Sequence, residues 1–392
     1  MKPIDRITTY HAELTAQRRD FHANPELGFT EHRTSDIVAR QLEALGIEVH
    51  RGVGGTGVVG VLREGNGPVS LGLRADMDAL PILEANDVSY KSTRPGVMHA
   101  CGHDGHTTML HGAARYLAET RNFNGTVNFI FQPAEEGLGG ATAMLKDALF
   151  ERFPCDAVFG MHNQPGMKVG TFAIRPGTMM AGGGFFDIHV EGKGSHGARP
   201  EQSIDPVLVA AHIVTALQAI VARNVSALDS AVVSATAIKS GDAYNVIPQS
   251  AEIRGTMRTF RNETMDLVET NMKRIVAGVA AAFGATAHVD FRRLFAPLVN
   301  DAAEAMVFAD VAAELVGEAN VERERDLIMA SEDFSFMLEA RPGAYINIGN
   351  GDTAGSVPVH NPGYDFNDAI LPMGAAALAG LVEKKMPRFA EK

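Results

Sequence analysis

Residues 182–192 read GGGFFDIHVEG, and after the three glycines Phe186, Ile188 and Val190 alternate with Asp187, His189 and Glu191. A period of two is the signature of a strand with one apolar face. Downstream, residues 205–223 predict a long helix, with apolar positions at Val207, Ala211, Val214, Leu217 and Val221. Two strand-like runs follow, SAVVSATAIKSG (230–241) and QSAEIRGTMRTF (249–260), then a helix over 262–283 and a last strand in ATAHVDFRRL (285–294). This β-α-β-β-α-β series predicts a small four-stranded α+β domain over residues 183–295. It interrupts a larger domain made of residues 1–182 and 296–392.

Upstream the pattern is different. Residues 3–23 predict an amphipathic helix stopped at Asn24-Pro25, and 34–46 a second one capped by Gly46. Strand-like runs at 57–63, 69–74, 126–132 and 156–162 alternate with helical stretches at about 105–120 and 140–150. Apolar strands separated by helices predict an α/β domain with a central mixed sheet covered on both faces. The conspicuous polar clusters follow the carboxyl ends of these strands, where open α/β sheets place their sites. A chain of 392 residues suits two domains on a scale of roughly 100–200 residues each.

The formal net charge of -12 argues against nucleic acid or an anionic membrane as a partner, because both require clustered Lys and Arg. No run of about 18 apolar residues is read as a membrane span. The N-terminal MKPIDRITTYHAELTAQRRDFH lacks the apolar core of a signal peptide. Cys101 and Cys155 are the only cysteines, too few for a disulfide framework, so the expected compartment is the cytoplasm.

Four polar signals carry chemistry. In MHACGHDGH (98–106), Cys101 and His103 stand two apart, and an extended backbone would turn both to one side. Thiolate and imidazole together suit Zn²⁺ or another borderline transition metal. By itself C-x-H also arises by chance, and His106 and His111 read equally well as surface groups on the next helix. QPAEEG (132–137) sets Glu135 beside Glu136 after a strand. On an extended chain such neighbours diverge, leaving one free to ligate a metal and the other to move protons. His162 and His360 complete the set. Together Cys101, His103, Glu136, His162 and His360 offer five donors, enough for two metal ions with an open position for water.

In order along the chain, RRDFHANPELGFTEHRT, LRADMDALPI, MHACGHDGHTTMLHGAA, FQPAEEG, GSHGARP, NVIP, SEDF and HNPGYDFND resemble the aminoacylase/carboxypeptidase family of co-catalytic metallohydrolases. The branch they resemble is that of hippurate hydrolases and auxin-conjugate amidohydrolases. The resemblance implies cleavage of N-acyl amino acids to a carboxylic acid and a free amino acid. It implies two divalent ions per chain, Zn²⁺ first, with Mn²⁺, Ni²⁺ or Co²⁺ as other candidates. Cys101 would bridge them, with His103, Glu136, His162 and His360 as further ligands and Glu135 as general base. Where the wider family has a metal-binding His, this chain has Asp76, and His103 replaces the lost ligand. Asp78 would orient a ligand. In the small domain, His196 in GKGSHGARP would polarise the scissile carbonyl across a dimer interface. Asn245 and Arg258 would contact substrate, the guanidinium taking its free carboxylate; an outward-facing strand Arg in a salt bridge is the plain alternative. The implied assembly is a homodimer, or a homotetramer, formed through this lid and dimerisation domain. A dipeptidase with the same metal site is one competing reading. A cysteine hydrolase using Cys101 with His103 as its base is another.

Overall fold

The computed structural model describes residues 2–352 and 356–388. They form two compact units. One comprises the chain through Met179, Val299–Asp326 and the chain from Asp333 on; the other comprises Met180–Leu298 and Leu327–Glu332.

The larger unit is α/β. Its eight-stranded sheet runs in the order Glu48–Val53, Gly57–Glu64, Gly125–Gln132, Ser70–Asp76, Ala157–Pro165, Gly343–Gly351, Phe172–Ala173, Val321–Glu322. The four central strands, Gly125–Gln132 through Gly343–Gly351, are mutually parallel, while Glu48–Val53 and Gly57–Glu64 add antiparallel pairs at one edge, so the sheet is mixed. Leu71, Leu73, Phe129, Phe131 and Phe159 are fully buried, as strands covered on both faces require. The helix His103–Thr120 is the crossover from Ser70–Asp76 to Gly125–Gln132, and fourteen of its residues are buried. A crossover between parallel strands returns the chain to the end of the sheet where it began. The helix therefore starts at the carboxyl edge of the parallel strands.

The smaller unit is an antiparallel sheet in the order Ala231–Lys239, Ser250–Thr259, Gly182–Glu191, Thr286–Phe295, with the helices Pro206–Ala219 and Asn262–Ala282. Phe186, Ile188 and Val190 point into its core while Phe185 and His189 are exposed, the alternation expected from residues 185–192. The compact unit is wider than the 183–295 read from sequence. Ala181 donates its N–H to the carbonyls of Ile328 and Ala330, at 2.9 and 3.1 Å, which draws 327–332 into this unit.

The helix after Gly192 also differs. Its buried face is Val209, Ala210, Ile213 and Leu217, whereas Val207 (45% exposed) and Val221 (37%) lie outward. Apolar residues occupy most of its circumference, so periodicity alone does not select the packed side. By length and composition, Pro206–Asn224 reaches what a bilayer crossing needs, at mean hydropathy 1.6, a property not read from the sequence. Its inner face packs instead on the small sheet.

Candidate metal centre

At the carboxyl edge of the parallel strands, four chain segments converge. Asp76 ends one strand and Asp78 follows it. Glu135 and Glu136 follow Gln132 at the end of the next. His162 lies inside Ala157–Pro165, three residues before that strand ends. Cys101 and His103 bracket the start of the crossover helix.

The local backbones are turns rather than the extended segments expected from sequence. Gly102, at φ 93°, breaks between Cys101 and His103, and a Cβ there would collide with Asn163 and Tyr364. That left-handed step folds the two side chains together: Cys101, His103 and His162 bring ligand atoms within 4.8 Å of one another. Glu135 and Glu136 sit on a turn entered through Ala134 at φ 53°. They do not diverge; a carboxylate oxygen of each lies within 4.8 Å of the other and of His103. His360 also adopts a positive φ, 64°, and its N–H donates to the Ala100 carbonyl at 2.7 Å. This tie brings the His360 ring to Glu136, with Nε2 3.3 Å from Oε1, and Cys101, Glu136 and His360 form a second ligand cluster. Two non-glycine residues in the left-handed region, each costing of order 1–3 kcal/mol, are strain stored beside a site.

Asp78 joins two of these residues. Its Oδ1 lies 3.2 Å from His103 Nδ1, and its Oδ2 accepts the Glu136 N–H at 3.0 Å. Glu135 Oε1 accepts the N–H of Asp333 at 3.2 Å, and Asp333 accepts from Gln132 Nε2 at 2.7 Å. Cys101 Sγ faces His162 Nε2 at 3.3 Å. Burial, and then the carboxylates of Glu136 and Glu135, push the Cys101 thiol well above its usual range, a poor setting for a free thiolate nucleophile. Burial opposes a charge on His103, but Asp76, Asp78 and Glu136 outweigh it and hold its pKa up at about 10.

A divalent cation fits these residues. Four carboxylates surround His103, yet its Nε2 and Glu136 Oε1 are buried without a hydrogen-bond partner. Buried polar atoms left unpaired cost about 1–3 kcal/mol each, and here both belong to good ligand types.

His106 and His111, read from sequence as surface groups, are both buried. His106 touches Asp76 and Asn163, each at 2.7 Å. Neither His106 nor Asn163 was singled out from sequence, and nor was a role for Asp333, although SEDF was noted as a motif. Their only local signal is a polar residue inside a run that otherwise reads as buried.

Beneath the crossover helix lies a charged cluster. Arg18 is fully buried and pairs with Asp104 at 3.4 Å and Asp368 at 2.7 Å. His22 bridges Asp104 at 2.9 Å and Glu84 at 3.1 Å. Burial opposes the His22 charge, but Asp104 and then Glu84 prevail and raise its pKa to about 9. A raised folded-state pKa stabilises fully below the unfolded value of 6.5, and the gain is lost as pH rises through about 9. We expect wild-type unfolding free energy in urea to fall by about 3 kcal/mol more between pH 6 and 10 than that of His22→Gln. Equal slopes for the two proteins would contradict this.

In the smaller unit, His196 and Asn245 are neighbours. Gly197 donates its N–H to the Asn245 carbonyl at 2.7 Å, Val246 pairs with His196, and both side chains are exposed. Arg258 hydrogen-bonds Thr256 Oγ1 and the Met257 carbonyl, each at 2.8 Å. Among the described residues no carboxylate of this chain pairs with it.

Residues 72–384 match the peptidase family M20/M25/M40. The chain is 46% identical over 385 residues to a hippurate hydrolase of Campylobacter jejuni, covering 98% of this chain and 99% of that one. It is 40% identical to an IAA-amino acid hydrolase of Arabidopsis thaliana, covering 94% of this chain and 84% of the other. It superimposes with a TM-score of 0.84 on a Bacillus subtilis protein described as a dinuclear metal binding peptidase from the M20 family. That match has 33% identity and covers 97% and 99% of the two chains. The chain belongs to the peptidase family M20/M25/M40. Within that family it is an amidohydrolase, an enzyme that breaks carbon–nitrogen amide bonds.

Proposed function

We propose that this enzyme hydrolyses N-acyl amino acids, with Cys101, His103, His162, Glu136 and His360 holding two divalent ions. The observation that carries this is the pair of donor clusters, Cys101–His103–His162 and Cys101–Glu136–His360, which share one thiol. Thiol, imidazole and carboxylate together favour Zn²⁺, with Mn²⁺, Ni²⁺ and Co²⁺ as alternatives. Bound there, the ions would make water acidic enough to attack at neutral pH and would polarise the amide carbonyl.

The chain's own residues do the rest. Glu135 takes a proton from the water as its oxygen adds to the acyl carbon, and gives it to the nitrogen as the C–N bond breaks. Asp78 holds His103 by its Nδ1, leaving Nε2 for a metal. Arg258, without a carboxylate partner and with burial lowering its pKa, takes the substrate's free carboxylate. Asn245 contacts the substrate, and His196 donates to the developing oxyanion. Both are exposed at one short antiparallel strand pair, Ser195–His196 with Val246–Ile247, as groups reaching a partner's site would be. The enzyme works as a homodimer through the smaller unit, whose helix offers Val207 and Leu208 outward. Both cysteines are unpaired, which suits the reducing cytoplasm.

The test is release of free amino acid from a panel of N-benzoyl, N-acetyl, long-chain acyl and indole-acetyl amino acids. Release should stop on chelation and return with added Zn²⁺ or Mn²⁺. Cleavage of dipeptides without any N-acyl amino acid would instead select the dipeptidase reading.

A further inference from the structure

Asp76 stands where the wider family is expected to have a ligand, and its carboxylate is not idle. Its Oδ1 lies 2.7 Å from His106 Nδ1, and its Oδ2 accepts from Arg74 at 2.7 Å and lies 3.8 Å from the unpartnered His103 Nε2. The other His106 nitrogen, Nε2, lies 2.7 Å from Asn163 Oδ1, and Asn163 Nδ2 donates to the Tyr364 hydroxyl at 2.6 Å. All four side chains are buried. The His106 ring packs against His162 with centroids 4.5 Å apart. His162 Nδ1 lies 2.6 Å from the Asn163 carbonyl, which leaves His162 Nε2 facing Cys101. His106 Nε2 also lies 3.1 Å from the Asn163 N–H, so both His106 nitrogens are engaged by Asp76 and Asn163.

We infer that His106 is a positioning residue: the chain Asp76–His106–Asn163–Tyr364 holds the His103 and His162 rings in ligating orientation before metal arrives. The ion it bears on is the one shared by Cys101, His103 and His162, not the one at Glu136 and His360. This rests on the ligand assignment above.

The experiment titrates metal-stripped protein with Co²⁺, following the thiolate-to-cobalt absorption, against a competing chelator. Wild type should take two equivalents. His106→Phe keeps a ring of similar volume but no hydrogen bond, and should weaken one equivalent by roughly 10–100-fold while the other is unchanged. His106→Gln, which keeps a donor and an acceptor, should weaken it less. A purely packing role would rank these two variants the other way, and that ranking overturns the inference. So does unchanged affinity in both, or a stoichiometry of one at every cobalt concentration, which would make His106 a ligand. Should both fail to fold, Tyr364→Phe removes only the hydroxyl ending the chain; a few-fold loss in the same equivalent is expected, and no loss overturns the proposal. Wild type taking no cobalt would remove the ligand assignment itself, whereas two wild-type equivalents with indifferent variants would remove this inference alone.

Discussion

Glu135→Gln is expected to keep its metals and its fold and lose roughly 10²–10⁴-fold in kcat, the contribution of a well-placed general base. The substitution changes neither length nor shape, and the Gln side-chain oxygen can still accept the Asp333 N–H that holds Glu135 at 3.2 Å. What it removes is the ability to accept the water's proton. Glu136→Gln should behave differently, because Glu136 sits 3.3 Å from His360 and its Oε1 is buried without a hydrogen-bond partner. A neutral amide there weakens ligation, so metal content should fall together with activity. Metal analysis beside kcat separates the two variants. Identical metal loss in both would mean the roles are not divided, and the comparison is needed because both carboxylates lie within reach of His103.

His196→Ala is expected to lower kcat by roughly 10²–10³-fold, the usual loss for one oxyanion donor, with metal content unchanged. The stronger test mixes His196→Ala chains with Glu135→Gln chains under conditions where subunits exchange. If His196 serves the partner's metals, each mixed dimer contains one site with both residues intact. Random pairing across a two-fold interface then restores about a quarter of wild-type activity. No recovery in mixtures shown to have exchanged would place His196 in its own chain's chemistry or outside the reaction.

The smaller unit was legible because its signals are local: Phe186, Ile188 and Val190 alternate in whatever context they occur, and the same period marks strands anywhere. The site candidates were legible for a related reason. Cys101, His103, Glu135 and Glu136 lie just after strands or at a helix start, and parallel strands bring such ends to one edge. Only the tertiary structure decided how they point. A left-handed Gly102 and a left-handed Ala134 turned two segments read as extended into turns; glycine permits such a dihedral without imposing it, and at Ala134 only the surroundings hold it. Likewise Asp76 meets His106 across 30 residues, His106 meets Asn163 across 57, and Gln132 meets Asp333 across 201. The helix Pro206–Ala219 is apolar around most of its girth, so the set read from sequence, Val207 to Val221, differs from the face the small sheet took with Val209 and Ile213. Alternation and strand ends are properties of a few consecutive residues, so sequence alone determined the layers and the donor types. Hydrogen-bond partners and buried faces are set by segments far apart in the chain, and those the fold alone decided.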